Sequence, residues 1–373
     1  MPPVTWTFAI TNMPRFRFLL AQAALGLAAL ILPAAHAAPD PWNHAPYQLG
    51  QGLHFPDRGL DLGGYLSLQY ENLRRRTSAF SVHDLSLFVN KRFGSRWNVF
   101  TEMEVGDALS VTKEGDVSHH AEFDIERLYA DYRVSPAVTL RFGKFLTPVG
   151  RWNMIHADPL VWTVSRPLTT AAAFARHATG AMIYGSLPAA GRDLDYWLFA
   201  DDTAQLDPLQ RKEPAFDTPG SSLTLTNNFN RAAGGRLQYH FMGDRFSVGA
   251  SYLYFEMQKP REDRNLLGAD FYWNTRYVEL SGEAVYRTIA GSSRSDERGA
   301  FIQAVVPVPH HLYLVARHEH YHTAVLAAAP TLNTFGITYR PRPPISLKLE
   351  YRTGRNNAEA APSGWLGSLA ILF

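Results

Sequence analysis

The stretch Ser363-Gly364-Trp365-Leu366-Gly367-Ser368-Leu369-Ala370-Ile371-Leu372-Phe373 narrows the possible folds most. Read with period two, it sets Trp365, Gly367, Leu369, Ile371 and Phe373 on one face, then stops on an uncharged aromatic residue. Terminal segments usually fray into water and are polar. A strand that ends on phenylalanine makes sense if its outer face meets lipid. The same period two, not 3.6, runs through the chain from Leu60 onward. Leu62, Leu66, Leu68 and Tyr70 alternate with Asp61, Tyr65, Ser67, Gln69 and Glu71. Trp97, Val99, Thr101, Met103 and Val105 alternate with Asn98, Phe100, Glu102 and Glu104. Leu347, Leu349 and Tyr351 alternate with Lys348, Glu350 and Arg352. Charges on the second face of so many strands exclude a sandwich, whose inner faces are apolar. A barrel with one lipid face and one wet face accommodates them, and an aromatic content of 13% fits that arrangement.

The other end agrees. Arg15 and Arg17 precede an apolar run from Phe18 to Pro33, and Ala35-His36-Ala37 follows as a small-x-small site. This is the pattern of a secretory signal peptide over residues 1–37. The run is short for a membrane-spanning helix of ~20 residues. The chain has no cysteine, which suits export into an oxidising compartment and removes thiol nucleophiles and cysteine metal sites. The net charge of +2, less Arg15 and Arg17, leaves zero for the remainder, so no electrostatic case for nucleic-acid binding exists.

Sixteen strands are expected: 60–71, 82–92, 97–106, 122–133, 137–145, 179–187, 193–201, 230–241, 245–256, 266–274, 277–288, 299–307, 311–321, 332–340, 345–353 and 363–373. Connections between them alternate short and long. The short ones carry Gly, Pro or Asp and read as periplasmic turns; the long ones then face outside. The expected fold is all-β, a transmembrane antiparallel barrel of about 16 strands over residues 59–373, with 14 as the alternative because residues 160–200 divide poorly. Residues 38–58 hold Pro39, Pro41, Pro46 and Pro56 and read as a periplasmic lead-in.

The longest connection, 146–178, carries Trp152, Trp162 and Phe174 among many apolar residues. A loop this long is functional or disordered, and its composition wants burial. Above an open barrel it can bury such residues only by folding into the lumen or by packing on a neighbour. Its position resembles the inward third loop of porins. The stretch Leu140-Arg141-Phe142-Gly143-Lys144-Phe145-Leu146-Thr147-Pro148-Val149-Gly150-Arg151 resembles the strand-and-loop signature of phosphate-selective-porin-like proteins, where a strand ending in Gly-Lys runs into a Pro- and Gly-containing loop. No repeated arginine ladder accompanies it, so phosphate is not named. The resemblance implies an outer-membrane porin, a passive channel for small hydrophilic solutes, and a homotrimer. The expected pore constriction combines Arg141, Lys144, Arg151, Arg166 and Arg176 with Glu102, Glu104 and Asp131. Asp124 and Glu126 join the acids, and Arg317, Arg340, Lys348 and Arg352 point inward from the last strands. Acids on one wall and bases on another would put a transverse field across the pore, with a mild anion preference.

Other signals are weaker. His318-Glu319-His320-Tyr321-His322 matches HExxH, which needs a helix to bring both histidines together. On a strand, Glu319 points away from them. Ser86, Ser165 and His120 invite a hydrolase reading, without any G-x-S-x-G elbow. Outward aromatics such as Tyr70, Trp97, Tyr132, Tyr196, Tyr239, Tyr252, Tyr254, Trp273, Tyr339 and Tyr351 suit an interface girdle. Tyr65, Phe100, Tyr129, Trp197 and Tyr313 are the few lumen-facing aromatics that a sugar track could use. No catalytic residue, metal site or cofactor is expected. The alternatives are a barrel enzyme acting on lipids and a plugged structural or adhesin barrel. The partners implied are outer-membrane lipid, small hydrophilic or anionic solutes, and the barrel assembly machinery through Phe373.

Overall fold

Strands with apolar outer and polar inner faces pair edge to edge until no edge remains, because an open edge cannot survive in lipid. The computed structural model describes residues 47–119, 121–155, 157–213, 227–258, 261–289, 296–323, 326 and 328–373. The segment 1–37 lies outside them. The described chain forms a closed antiparallel barrel of sixteen strands: β1 Leu60–Leu73, β2 Ala79–Phe93, β3 Trp97–Thr112, β4 Glu122–Ser135, β5 Val138–Leu146, β6 His177–Ala189, β7 Arg192–Asp201, β8 Phe229–His240, β9 Phe246–Met257, β10 Asp263–Asn274, β11 Glu279–Ile289, β12 Glu297–Val308, β13 Leu312–His322, β14 Thr331–Arg342, β15 Ile345–Arg355 and β16 Gly364–Leu372. Each strand pairs with its neighbours in sequence, and β16 closes on β1 from Gly364↔Leu73 to Leu372↔Tyr65. The count is sixteen, not fourteen.

The seven tight turns share one rim. Ala190-Gly191, between the paired residues Ala189 and Arg192, sits at positive φ throughout, the two-residue hairpin geometry that matches strand twist; the turn after Val308 has three residues, with His310 and His311 at positive φ. Several strands outrun the sequence reading at the opposite rim: 97–106 becomes Trp97–Thr112, and 82–92 becomes Ala79–Phe93. There the hairpins rise above the lipid band, both faces can be polar, and the alternation signal fades.

Outward positions hold exposed Tyr70, Trp97, Tyr252, Trp273, Tyr339 and Trp365. Inward positions hold buried Glu102, Arg236, Glu283, Arg317, Glu350 and Arg352. One inward region departs from the all-polar expectation. On the outer halves of β9, β10, β11 and β14, Leu253, Phe255, Leu266, Val285 and Leu332 point inward and are buried with Phe145, Val149, Leu168 and Phe174. These partners come from the end of β5 and the loop that follows it, so the barrel carries a small apolar core inside its lumen.

At the seam, the amide N–H of Gly64 donates to the Phe373 carbonyl and that of Phe373 donates to Gly64, both at 2.8 Å. Below Phe373, the short strand Gly52–Phe55 takes over pairing with β1 through Leu53↔Leu62 and Phe55↔Leu60. Residues 47–58 therefore lie on the tight-turn rim, with Gly50 against Pro344.

Candidate functional site

The segment between β5 and β6 builds one side of the lumen. Leu146 and His177 still pair as strand residues, so the free loop is 147–176 within the expected 146–178. It contains two short helices, α1 Trp152–Ile155 and α2 Leu168–Ala172. A folded-in loop must satisfy its backbone groups, and charged side chains on the far wall do this. The carboxylates of Glu283, Glu350 and Glu319 accept from the amide N–H groups of Trp152 (2.5 Å), Val164 (2.8 Å) and Leu168 (2.7 Å). Arg317, with no exposed surface, donates to Thr163 Oγ1 (2.7 Å), Ser165 O (3.0 Å) and Ser165 Oγ (2.8 Å). Lys348 donates to Asp158 O (2.6 Å) and Asp158 Oδ1 (2.8 Å), while Ser67 Oγ donates to the other carboxylate oxygen. Arg340 reaches the Pro159, Leu160 and Val161 carbonyls and stacks on Trp162. Trp162 in turn donates to Glu279. Burial alone would raise the Asp158 carboxyl, but Lys348 and the bonds to Lys348 and Ser67 hold it below the usual carboxylate range.

This seat corrects the expected field. Arg317, Arg340 and Lys348 do not line an open basic wall: Arg317 pairs with Glu319 and donates to Thr163 and Ser165, Arg340 donates to loop carbonyls, and Lys348 pairs with Asp158. Arg141 and Lys144 do not face the acids across a gap either. They stand on the acids' own wall: Arg141 forms a two-point pair with Asp131 at 2.7 and 2.9 Å, and Lys144 sits 3.5 Å from Asp124 and 3.6 Å from Asp207. Glu102 pairs with Arg127 at 2.5 Å, and Glu104 accepts from Tyr65 and Ser86. Arg151 stacks on Tyr272 and Arg166 on Trp152, both on the loop side. The Arg176 amide donates to Glu213 on the connection after β7. Residue types at period two could locate these groups on the lumen face. They could not say which charges meet, because that depends on register across strands and on where the loop lands.

The wall opposite the seat carries a feature that the sequence reading caught only in part. Tyr65, Phe88, Phe100 and Tyr129 stand on β1 to β4 with successive ring centroids 5.8, 5.9 and 5.3 Å apart. Arg141 of β5 then lies 3.6 Å from the Tyr129 centroid and 4.8 Å from that of Tyr184 on β6. Trp197 on β7 is in register with Tyr184, and Arg236 of β8 lies over it. Every member sits three to six residues inside the tight-turn end of its strand, so the row follows one level halfway round the barrel. The anchors Arg317, Lys348, Glu350 and Glu283 stand at the same distance inside theirs. Loop seat and aromatic half-belt thus face each other across one cross-section. Phe88 and Tyr184 were missed, although period two from Ser86 and Met182 places them inward. Tyr313 belongs elsewhere, stacked on Trp162 of the loop.

The histidine motif lies on β13, as a strand. His318 and His320 are exposed on the outer face, while Glu319 is fully buried inside against Arg317 and the Leu168 amide. Ser86 and Ser165 serve Glu104 and Arg317; His120 lies outside the described residues. Among those residues no group of three or more potential metal ligands is present.

An uncharacterized protein of Aquifex aeolicus is 25% identical over 346 residues, 79% of this chain and 75% of that one. The anion-selective porin from Comamonas acidovorans superposes with a TM-score of 0.51 at 13% identity, covering 84% of this chain and 98% of the other. OmpT, an outer membrane protein of Vibrio cholerae in its trimer form, gives 0.52 at 10% identity, covering 84% and 99%. Both structures share the fold. Residues 59–266 match the family described as phosphate-selective porin O and P, more than half of the chain, and the chain belongs to that family.

Proposed function

We propose that this protein is an outer-membrane diffusion channel whose eyelet is the gap between the seated loop and the β2–β8 wall. The observation that carries the reading is the loop seat: charged lumen residues spend their hydrogen bonds on holding 147–176 inside the barrel. Passage needs no chemistry, so the channel acts without catalytic residues. Small hydrophilic solutes cross a water-lined gap, with charge selection from the groups bordering it. Arg141 and Lys144 are neutralised by Asp131, Asp124 and Asp207 and add little net charge; the mild anion preference is assigned to the loop side, where Arg151 and Arg166 stand. Residues 1–37 act as the secretory leader, Phe373 presents the closing strand to the assembly machinery, and the barrel works as a homotrimer in lipid, as one fold neighbour does.

Single-channel recording in planar bilayers tests this. The wild type is expected to conduct KCl with a reversal potential displaced toward anions, and Arg151→Ala with Arg166→Ala to move that potential toward zero. A barrel that inserts without conducting would overturn the channel; an unchanged potential would remove both arginines from the filter.

A further inference from the structure

The half-belt is the wall that the loop leaves uncovered, and its chemistry is more specific than a water-filled gap requires. Phe88, Phe100, Tyr129 and Tyr184 are each half-buried, so they retain surface on the lumen side. Two guanidinia are stacked among them. Arg141 commits Nε and Nη2 to Asp131, and its Nη1 makes no hydrogen bond among the described residues. Arg127 commits Nε to Glu102, lies 4.7 Å from the Phe100 centroid, and leaves both terminal nitrogens without a hydrogen bond among the described residues. The wall therefore offers ring surface and unspent N–H donors, with each guanidinium's charge already matched by a carboxylate.

Those properties together select a solute class. A simple anion gains little, because it meets the carboxylate of each pair along with the guanidinium. A planar hydrocarbon would cover the N–H groups without satisfying them, which is costly for desolvated donors. A neutral pyranose has an apolar C–H face for the rings and equatorial hydroxyls that accept from the arginines and donate to Asp131, whose side chain keeps some exposure. The belt lies at the level of the loop seat, so a solute passing the eyelet must cross it.

We propose that the Phe88–Tyr184 half-belt is a binding track for neutral sugars in transit. This rests on the reading that solutes pass between the loop and this wall. Pyranose rings lie against Phe100 and Tyr129, and Arg127 together with the Arg141–Asp131 pair holds their hydroxyls.

The test is current block in planar bilayers with maltotriose, against a polyethylene glycol of equal hydrodynamic radius. Maltotriose is expected to reduce KCl current with saturation, and the polymer without it. The Phe100→Leu/Tyr129→Leu double variant should raise the half-blocking concentration about tenfold, the consequence of losing roughly 1.4 kcal/mol of contact. Block is expressed as a fraction of each variant's own KCl current, so any change in the bore is separated from loss of sugar contact. Arg141→Lys keeps the charge and the fold but loses the planar fork, so it should weaken block in the same direction and serves if the double variant fails to assemble. Identical, non-saturating effects of sugar and polymer would overturn the track. So would unchanged half-block in both variants, or saturable block by benzoate without block by maltotriose. Each of those outcomes leaves KCl conductance, and hence the channel itself, intact.

Discussion

Asp158 and Lys348 show what single residues contribute here. Both are buried, and each is the other's ionic partner across the lumen. Removing one member of a buried pair strands the other at a cost of about 3–5 kcal/mol. Lys348→Met should therefore unseat the loop, and Asp158→Leu combined with Lys348→Met should recover most of the loss. Trypsin cleavage at Arg151 and Arg176 reports it: faster in the single variant, near wild type in the double. The pin also has a pH dependence of fixed sign. The Asp158 carboxyl is held below its ordinary value, so its stabilisation is present above that ordinary value and is lost as pH falls through the lowered one. Amide hydrogen exchange over 147–176, corrected for the intrinsic rate at each pH, should rise in strongly acidic buffer and stay flat through neutrality.

At the scale of elements, strands and an inward loop were legible, and the loop's seat was not. All sixteen strands follow from period two and turn residues, because each strand's lipid and water faces are local requirements. The loop was legible as a segment that wants burial, with the lumen as one place to find it. Trp152, Val149, Leu168 and Phe174 announce this; they do not say that Leu253, Phe255, Leu266 and Leu332 turn inward to receive them. The same hidden pairing converted Arg317 from an expected pore charge into an anchor. Arg317→Met removes the donors to Thr163 and Ser165 together. It should raise the variance of single-channel current, with longer high-conductance dwells, while the barrel still assembles; unchanged noise would mean that the remaining anchors hold the loop alone.

For the whole molecule, closure depends on the seam between first and last strands. A side chain at Gly64 would land on the Ser86 carbonyl and on the ring of Phe373. Gly64→Val is expected to block closure, read as loss of the heat-modifiable folded band on electrophoresis, whereas Gly94→Ala on a tight turn, where a Cβ meets nothing, should cost only the strain of its positive φ. Period two, the aromatic band and the tight-turn residues determined by themselves that this chain makes a lipid-facing, water-filled barrel, because those constraints act within one strand and its neighbours. Only the tertiary structure decided which lumen charges meet, which hold the loop, and that rings from six strands fall on one level. Those outcomes depend on stagger accumulated around the whole barrel and on a loop that crosses it, and no local pattern encodes either.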